Sequence, residues 1–153
     1  MKKALVTLLL LATVFTALAQ KVKVKKGAVS VDGVAYASWE KDDIVRQNRV
    51  VKNLNGDVLL IAIVRRYQDP KKISESNPKG NVSYYELVKP GTEEVLFEYQ
   101  GFPKHLFKAF YNGKVINADG TLNEENLKTV SVRIGKEFTR QRENGDININ
   151  ISR

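Results

Sequence analysis

The stretch that comes closest to a chemical motif is VINADGTLNEEN, Val115 to Asn126. A calcium loop between two helices takes oxygen ligands at its first, third and fifth positions, glycine at the sixth, a backbone carbonyl at the seventh and a bidentate glutamate at the twelfth. Asn117, Asp119, Gly120, Leu122 and Asn123 keep that register, but Val115 stands first and Asn126 last. Asp119 is then the sole carboxylate at a ligand position, which compensates a divalent cation poorly. The same letters describe an Asp119-Gly120 turn followed by a helix capped by Thr121 or Asn123. Glu124 and Glu125 would lie in its first turn, near the positive end of the helix dipole. No metal and no cofactor are expected.

Other chemistries are bounded by residue type. His105 is the single histidine and cysteine is absent. Multi-histidine metal sites, thiolate sites, cysteine nucleophiles and disulfide exchange are therefore excluded. No GxSxG turn surrounds any serine, and neither a GxxxxGK phosphate loop nor a dinucleotide glycine pattern occurs. His105, two residues after Pro103, reads as a solvated surface side chain. Carboxylates form three adjacent pairs, Asp42-Asp43, Glu93-Glu94 and Glu124-Glu125. A glycosidase holds two carboxylates across a sugar at a set separation. Adjacency does not supply that, because neighbours on a strand point to opposite faces.

Aromatic and basic residues carry the best argument for binding. Trp39 closes a hairpin, Tyr67 follows Arg65-Arg66 at the end of a long apolar strand, and Tyr84-Tyr85 lies on the next strand. A sheet face bearing tyrosines and arginines can stack sugars or bases or grip a peptide, and it can equally be core with hydroxyls at its rim. Trp39, Arg65, Arg66, Tyr67, Tyr84 and Tyr85 are the candidate binding residues. The basic cluster KVKVKK, Lys21 to Lys26, alternates lysine with valine. It reads as an edge strand whose lysines discourage pairing with other chains. As a strip for an anionic polymer it lacks interleaved aromatics.

The elements that must position these residues follow from periodicity and turns. AVSVDGVAYASWE alternates around Asp32-Gly33, a two-residue hairpin signal. RVVKNLNGDVLLIAIVRRYQD repeats the logic around Asn55-Gly56. Val58 to Val64 is apolar on both faces, as a central, doubly covered strand requires. KDDIVRQN is polar loop or a short helix, and Asp69 to Asn81 is a surface loop with two prolines. VSYYELV and EVLFEYQ flank a Pro90-Gly91 turn, and the second is expected to pack Val95, Phe97 and Tyr99 while keeping Glu94, Glu98 and Gln100 mostly wet.

Phe102, Leu106, Phe107 and Phe110 have helical spacing, with Pro103 in the first turn and Asn112-Gly113 as the stop. A second helix is expected from about Asn123, through Leu127, Val130 and Ile134, to Gly135, although TVSVRI also alternates as a strand would. DININISR reads as a final strand. The fold class is thus α+β: an antiparallel β-meander of hairpins with one or two C-terminal helices packed on one face and a final C-terminal strand.

Residues 1–19 carry a different signal. MKK precedes the apolar run ALVTLLLLATVFTALA, and Ala17-Leu18-Ala19 offers a small-x-small cleavage site before Gln20. The run is short for a membrane span of about 20 residues, so a cleavable signal peptide is expected and no transmembrane anchor. Without cysteine there is no lipid-bearing cleavage site. Residues 20–153 then form one domain, long enough for a core without disulfides, and their absence points to bacterial export. The net charge is +8. It favours weak attraction to anionic surfaces without naming a partner, and no specific nucleic-acid motif accompanies it.

With VVKNLNGDVLL, NPKGNVSYYELVKPG and NADGTLNEEN taken together, the chain resembles a group of small exported proteins of Bacteroidota-type bacteria. That resemblance implies a periplasmic or secreted address and carries over no activity. The leading expectation is an exported, non-enzymatic binding or interaction domain of unassigned ligand, with an anionic polymer or a protein of the envelope as partner. The alternative is a small carboxylate-dependent hydrolase acting on cell-wall or extracellular polysaccharide.

Overall fold

The computed structural model describes residues 20–143. The expected signal peptide and the expected final strand at DININISR lie outside the described residues. Seven strands form one antiparallel sheet in sequence order. They are β1 (Val22–Lys25), β2 (Ala28–Val31), β3 (Val34–Lys41), β4 (Arg49–Lys52), β5 (Val58–Gln68), β6 (Asn81–Val88) and β7 (Val95–Tyr99). Three helices follow, α1 (Pro103–Asn112), α2 (Glu124–Ile134) and α3 (Glu137–Glu143). The fold is α+β.

Local chemistry explains most of the turns. Asp32 and Gly33 both have positive φ, 52° and 88°, the backbone a two-residue hairpin needs if its twist is to match the strands. Asn55-Gly56 also joins two strands, but by a different turn. The Gly56 N–H donates to Asn53 O and the Asn53 N–H to Asp57 O, and only Gly56 has positive φ. This is a longer loop ending in a left-handed glycine, and Lys52 pairs with Val58 across it. Of the segment KDDIVRQN, Lys41 ends β3 and the rest is a loop, in which the Asp42 carboxylate accepts the N–H groups of Ile44 and Val45.

The main core lies between one face of the sheet and α1 with α2. Val29, Trp39, Val51, Leu60, Leu87 and Phe97 from the sheet meet Leu106, Phe107 and Phe110 of α1 and Leu127 and Val130 of α2. Helix α1 lies against β1 and β2, while α2 lies against β7, so the helices fill the space between the two edges of the sheet. Each fully buried Leu or Phe contributes about 1.5–3 kcal/mol. At the C-cap of α1, Gly113 has ordinary helical φ. Its role is space: a Cβ there would stand 2.5 Å from Val130 Cγ2.

The second helix matches its expected limits and settles the choice between helix and strand. The Asn123 side chain caps it by accepting the Asn126 N–H at 3.0 Å, Glu124 and Glu125 occupy the first turn, and Gly135 ends it. Two expectations are corrected. Phe102 does not join the apolar stripe of α1. It precedes Pro103 at the N-cap, 71% exposed. Glu98 is not wet but 4% exposed, because α3 crosses to the opposite face of the sheet. There Phe138 stacks on Tyr84 at 4.3 Å and closes a second cluster with Tyr67 and Val82. The Thr139 N–H donates to both Glu98 oxygens, at 3.1 and 3.0 Å, and its hydroxyl donates to one of them.

Candidate functional site

The six aromatic and basic candidates do not converge. Trp39 and Tyr85 meet edge to face at 5.5 Å in the main core, and Phe107 also meets the indole edge to face, at 6.1 Å. Tyr67 and Tyr84 belong to the second cluster on the opposite face. Arg65 is on that face as well, with Nε 2.8 Å from the Glu86 carboxylate. Arg66 reaches Gln47 at 2.8 Å on the exposed end of β5. Strand alternation separates Tyr84 from Tyr85 and Arg65 from Arg66, so a cluster in sequence becomes two faces in space.

Sequence adjacency also missed the carboxylates that do come together. Glu86 and Glu98 are cross-strand partners, 6% and 4% exposed. They lie side by side on one sheet face. Glu86 accepts from Arg65 and from the Tyr84 hydroxyl, and Glu98 holds Thr139. The signal that could have found them is the Pro90-Gly91 turn, which folds VSYYELV back on EVLFEYQ. Of the adjacent pairs, Asp42 holds its own turn, Glu124 pairs with Lys89, and Glu93 and Glu94 are exposed.

The calcium-like stretch forms one wall of a slot. Ile116 bridges Leu122, and Asp119 Oδ1 accepts both the N–H and the hydroxyl of Thr121, at 2.9 and 2.7 Å. These bonds hold the Asp119 carboxyl below its usual range. Val115, at the first loop position, is fully buried. Among the described residues no three acidic or histidine groups are placed to share a metal ion.

Asn53, 67 positions earlier, ties this turn to the β4–β5 hairpin. Its Nδ2 donates to Asp57 Oδ2 at 2.8 Å and to Gly120 O at 3.2 Å, while its Oδ1 accepts the Asn55 and Asp57 N–H groups. The slot, about 380 Å³, is bounded by Tyr36, Leu54, Asn55, Tyr111 and the Asn117–Gly120 turn. Tyr36 meets Tyr111 edge to face at 5.3 Å. Its hydroxyl is buried without a hydrogen-bond partner among the described residues. Burial pushes its pKa up to about 12, opposed only in part by the Ile116 backbone nearby.

A larger groove of about 630 Å³ runs between β7 and α2. Its rim holds charges of both signs, and Lys89 and Glu124 pair across it. It presents no single sign to a ligand.

Another cleft, about 550 Å³, lies along β1 and is closed on its other side by Phe102, Pro103 and Lys104. Val22 and Val24 turn into the main core, and Lys23 and Lys25 are exposed on the other face. The Tyr99 hydroxyl donates to Phe102 O at 2.7 Å, and Pro103 opens α1. The backbone beneath the exposed Phe102 ring is thus fixed. Lys104 Nζ stands 5.8 Å from the centre of that ring, within cation–π range. Lys23, Lys25 and Lys104 form no salt bridge among the described residues. The aromatic that KVKVKK lacks in sequence is supplied by a residue about 80 positions away.

No protein-family model, curated protein or solved structure matches this chain.

Proposed function

We propose that the chain is exported and serves as a non-enzymatic binding domain for an anionic partner, with the cleft between β1 and the start of α1 as its contact surface. Residues 1–19 support export by their basic start, apolar run and Ala17-Leu18-Ala19 ending. Among the described residues no helix is long and apolar enough to cross a membrane. One observation carries the binding reading: an exposed Phe102 ring on fixed backbone, at an edge where Lys23, Lys25 and Lys104 form no salt bridge among the described residues. Uncompensated charge of one sign around an apolar anchor favours an anionic ligand with some apolar surface. The alternative, a carboxylate-dependent hydrolase, gains nothing from Glu86 and Glu98. They stand beside each other rather than across a cleft, and each already holds a neighbouring side chain.

Retention on a heparin column tests the surface. The variant with Lys23→Gln, Lys25→Gln and Lys104→Gln is expected to elute at lower salt than a control with Lys79→Gln, Lys114→Gln and Lys128→Gln, which loses the same charge elsewhere. Equal elution of the two would remove the cleft from the reading. Export is tested by mass spectrometry of the chain from the periplasm or the medium, where an N-terminus at Gln20 is expected. An intact Met1 confined to the cytoplasm would overturn it.

A further inference from the structure

We infer that the anionic partner is an extended acidic peptide segment, bound by pairing with β1 as an added strand; the inference rests on the proposed role of this cleft. The first ground is the unpaired edge. β1 is the outer strand of the sheet, and its hydrogen-bond phase can be read from its start. The Lys21 N–H donates to the Asp32 carboxylate at 2.8 Å, and Lys21 O accepts the Asp32 N–H at 3.1 Å. Backbone groups alternate sides along an antiparallel strand. Lys23 and Lys25 therefore turn their N–H and C=O groups toward β2, and Val22 and Val24 turn theirs outward. Among the described residues no strand pairs with that outer edge.

The second ground is side-chain alternation. A strand added beside β1 would place alternate residues on the face of Lys23 and Lys25, and the intervening ones on the face of Val22 and Val24, beside Phe102. Acidic residues suit the first set and apolar residues the second. A second copy of this chain is a poor occupant, because pairing β1 with β1 sets lysine against lysine on one face. A polysaccharide or nucleic acid has no amide ladder to meet the outward groups of Val22 and Val24, and one aromatic ring is a short stacking platform.

The probe is a short peptide alternating glutamate and valine, titrated into the full chain with amide exchange followed by NMR. Binding is expected to slow exchange at Val22 and Val24, with little change at Lys23 and Lys25, whose amides already face β2. Methylating the peptide amides that face β1 should weaken binding about tenfold or more, since each methyl removes a donor to an outward carbonyl of β1. Val24→Pro removes one outward N–H that β2 does not use, a change edge strands tolerate, and should weaken binding similarly. Lys23→Glu with Lys25→Glu keeps every backbone group and should abolish binding.

Peptide binding without slowed exchange at Val22 and Val24, or unaffected by methylation, overturns strand addition. So does concentration-dependent protection of those amides in the chain alone, which would make a second copy the occupant. If no peptide binds but the heparin difference persists, strand addition falls and the basic contact surface stands. If both vanish, both fall.

Discussion

Helix α1 joins two clefts that differ in what their polar groups are doing. At its C-terminal end lies the slot around Tyr111 and the Asp119 turn, and at its N-terminal end lies the groove of Phe102, Lys104 and β1. The slot contains the letters that look most chemical in the sequence, yet Asp119, Asn117 and Asn53 bond to groups of the protein itself. The groove contains letters that look merely structural, and its lysines form no ion pair among the described residues. A polar group occupied in holding a turn has little left to offer a ligand. An unpaired charge on a rigid edge does.

That contrast can be broken at several points. The largest effect is expected from Phe107→Ala in the middle of α1, where a fully buried ring touches Trp39 and Phe110. Loss of about 3–5 kcal/mol is expected in urea unfolding, with both clefts disturbed together. Asn53→Ala should cost about 1–3 kcal/mol, because it strips bonds from Gly120 O and from two backbone amides of the hairpin. Chemical shifts should change around Asp119 and stay put around Phe102. A disturbance spreading to β1 would show that the two ends are not independent.

Tyr36→Phe is expected to act in the opposite direction. It removes a buried hydroxyl that has no partner among the described residues, so stability near neutral pH should be unchanged or rise by up to about 1 kcal/mol. It also has a pH signature. The phenol is harder to ionise in the folded chain, near 12, than in the unfolded chain, near 10. Its contribution is fully present below pH 10 and is lost as pH rises from 10 through 12. The melting temperature of the wild type should therefore fall more steeply over that window than that of Tyr36→Phe, and parallel curves would contradict the assignment. The smallest effect belongs to calcium. Millimolar addition should leave the melting temperature unchanged, whereas a rise of several degrees would mean that the Asp119 turn binds the ion after all.

Much of the fold is legible because it depends on near neighbours in the chain. The Asp32-Gly33 turn, the Leu127 and Val130 spacing, the Asn123 cap and the Gly135 stop all act within one turn or one hairpin. The Asn55-Gly56 hairpin was legible as a hairpin but not as a turn type, since Asn53 takes over the bonds that define it. Phe102 shows the limit more sharply. Its spacing fits the stripe of Leu106 and Phe110, but Pro103 opens the helix one residue later and leaves the ring outside. Glu98 alternates as a wet residue should, and only the return of α3 over the far sheet face buries it.

The sequence by itself determined the α+β class, the meander of hairpins, the two longer helices and the chemistries that lack their residues, because periodicity, turn residues and composition are properties of the chain. Only the tertiary structure decided which charges are neutralised and which side chains meet. Asn53 finds Gly120, Glu86 finds Glu98, and Phe102 is brought to the edge strand on the face of Val22 and Val24. Those contacts join residues on different elements, and their existence depends on how α1, α2 and α3 settle on the sheet, which no local preference encodes.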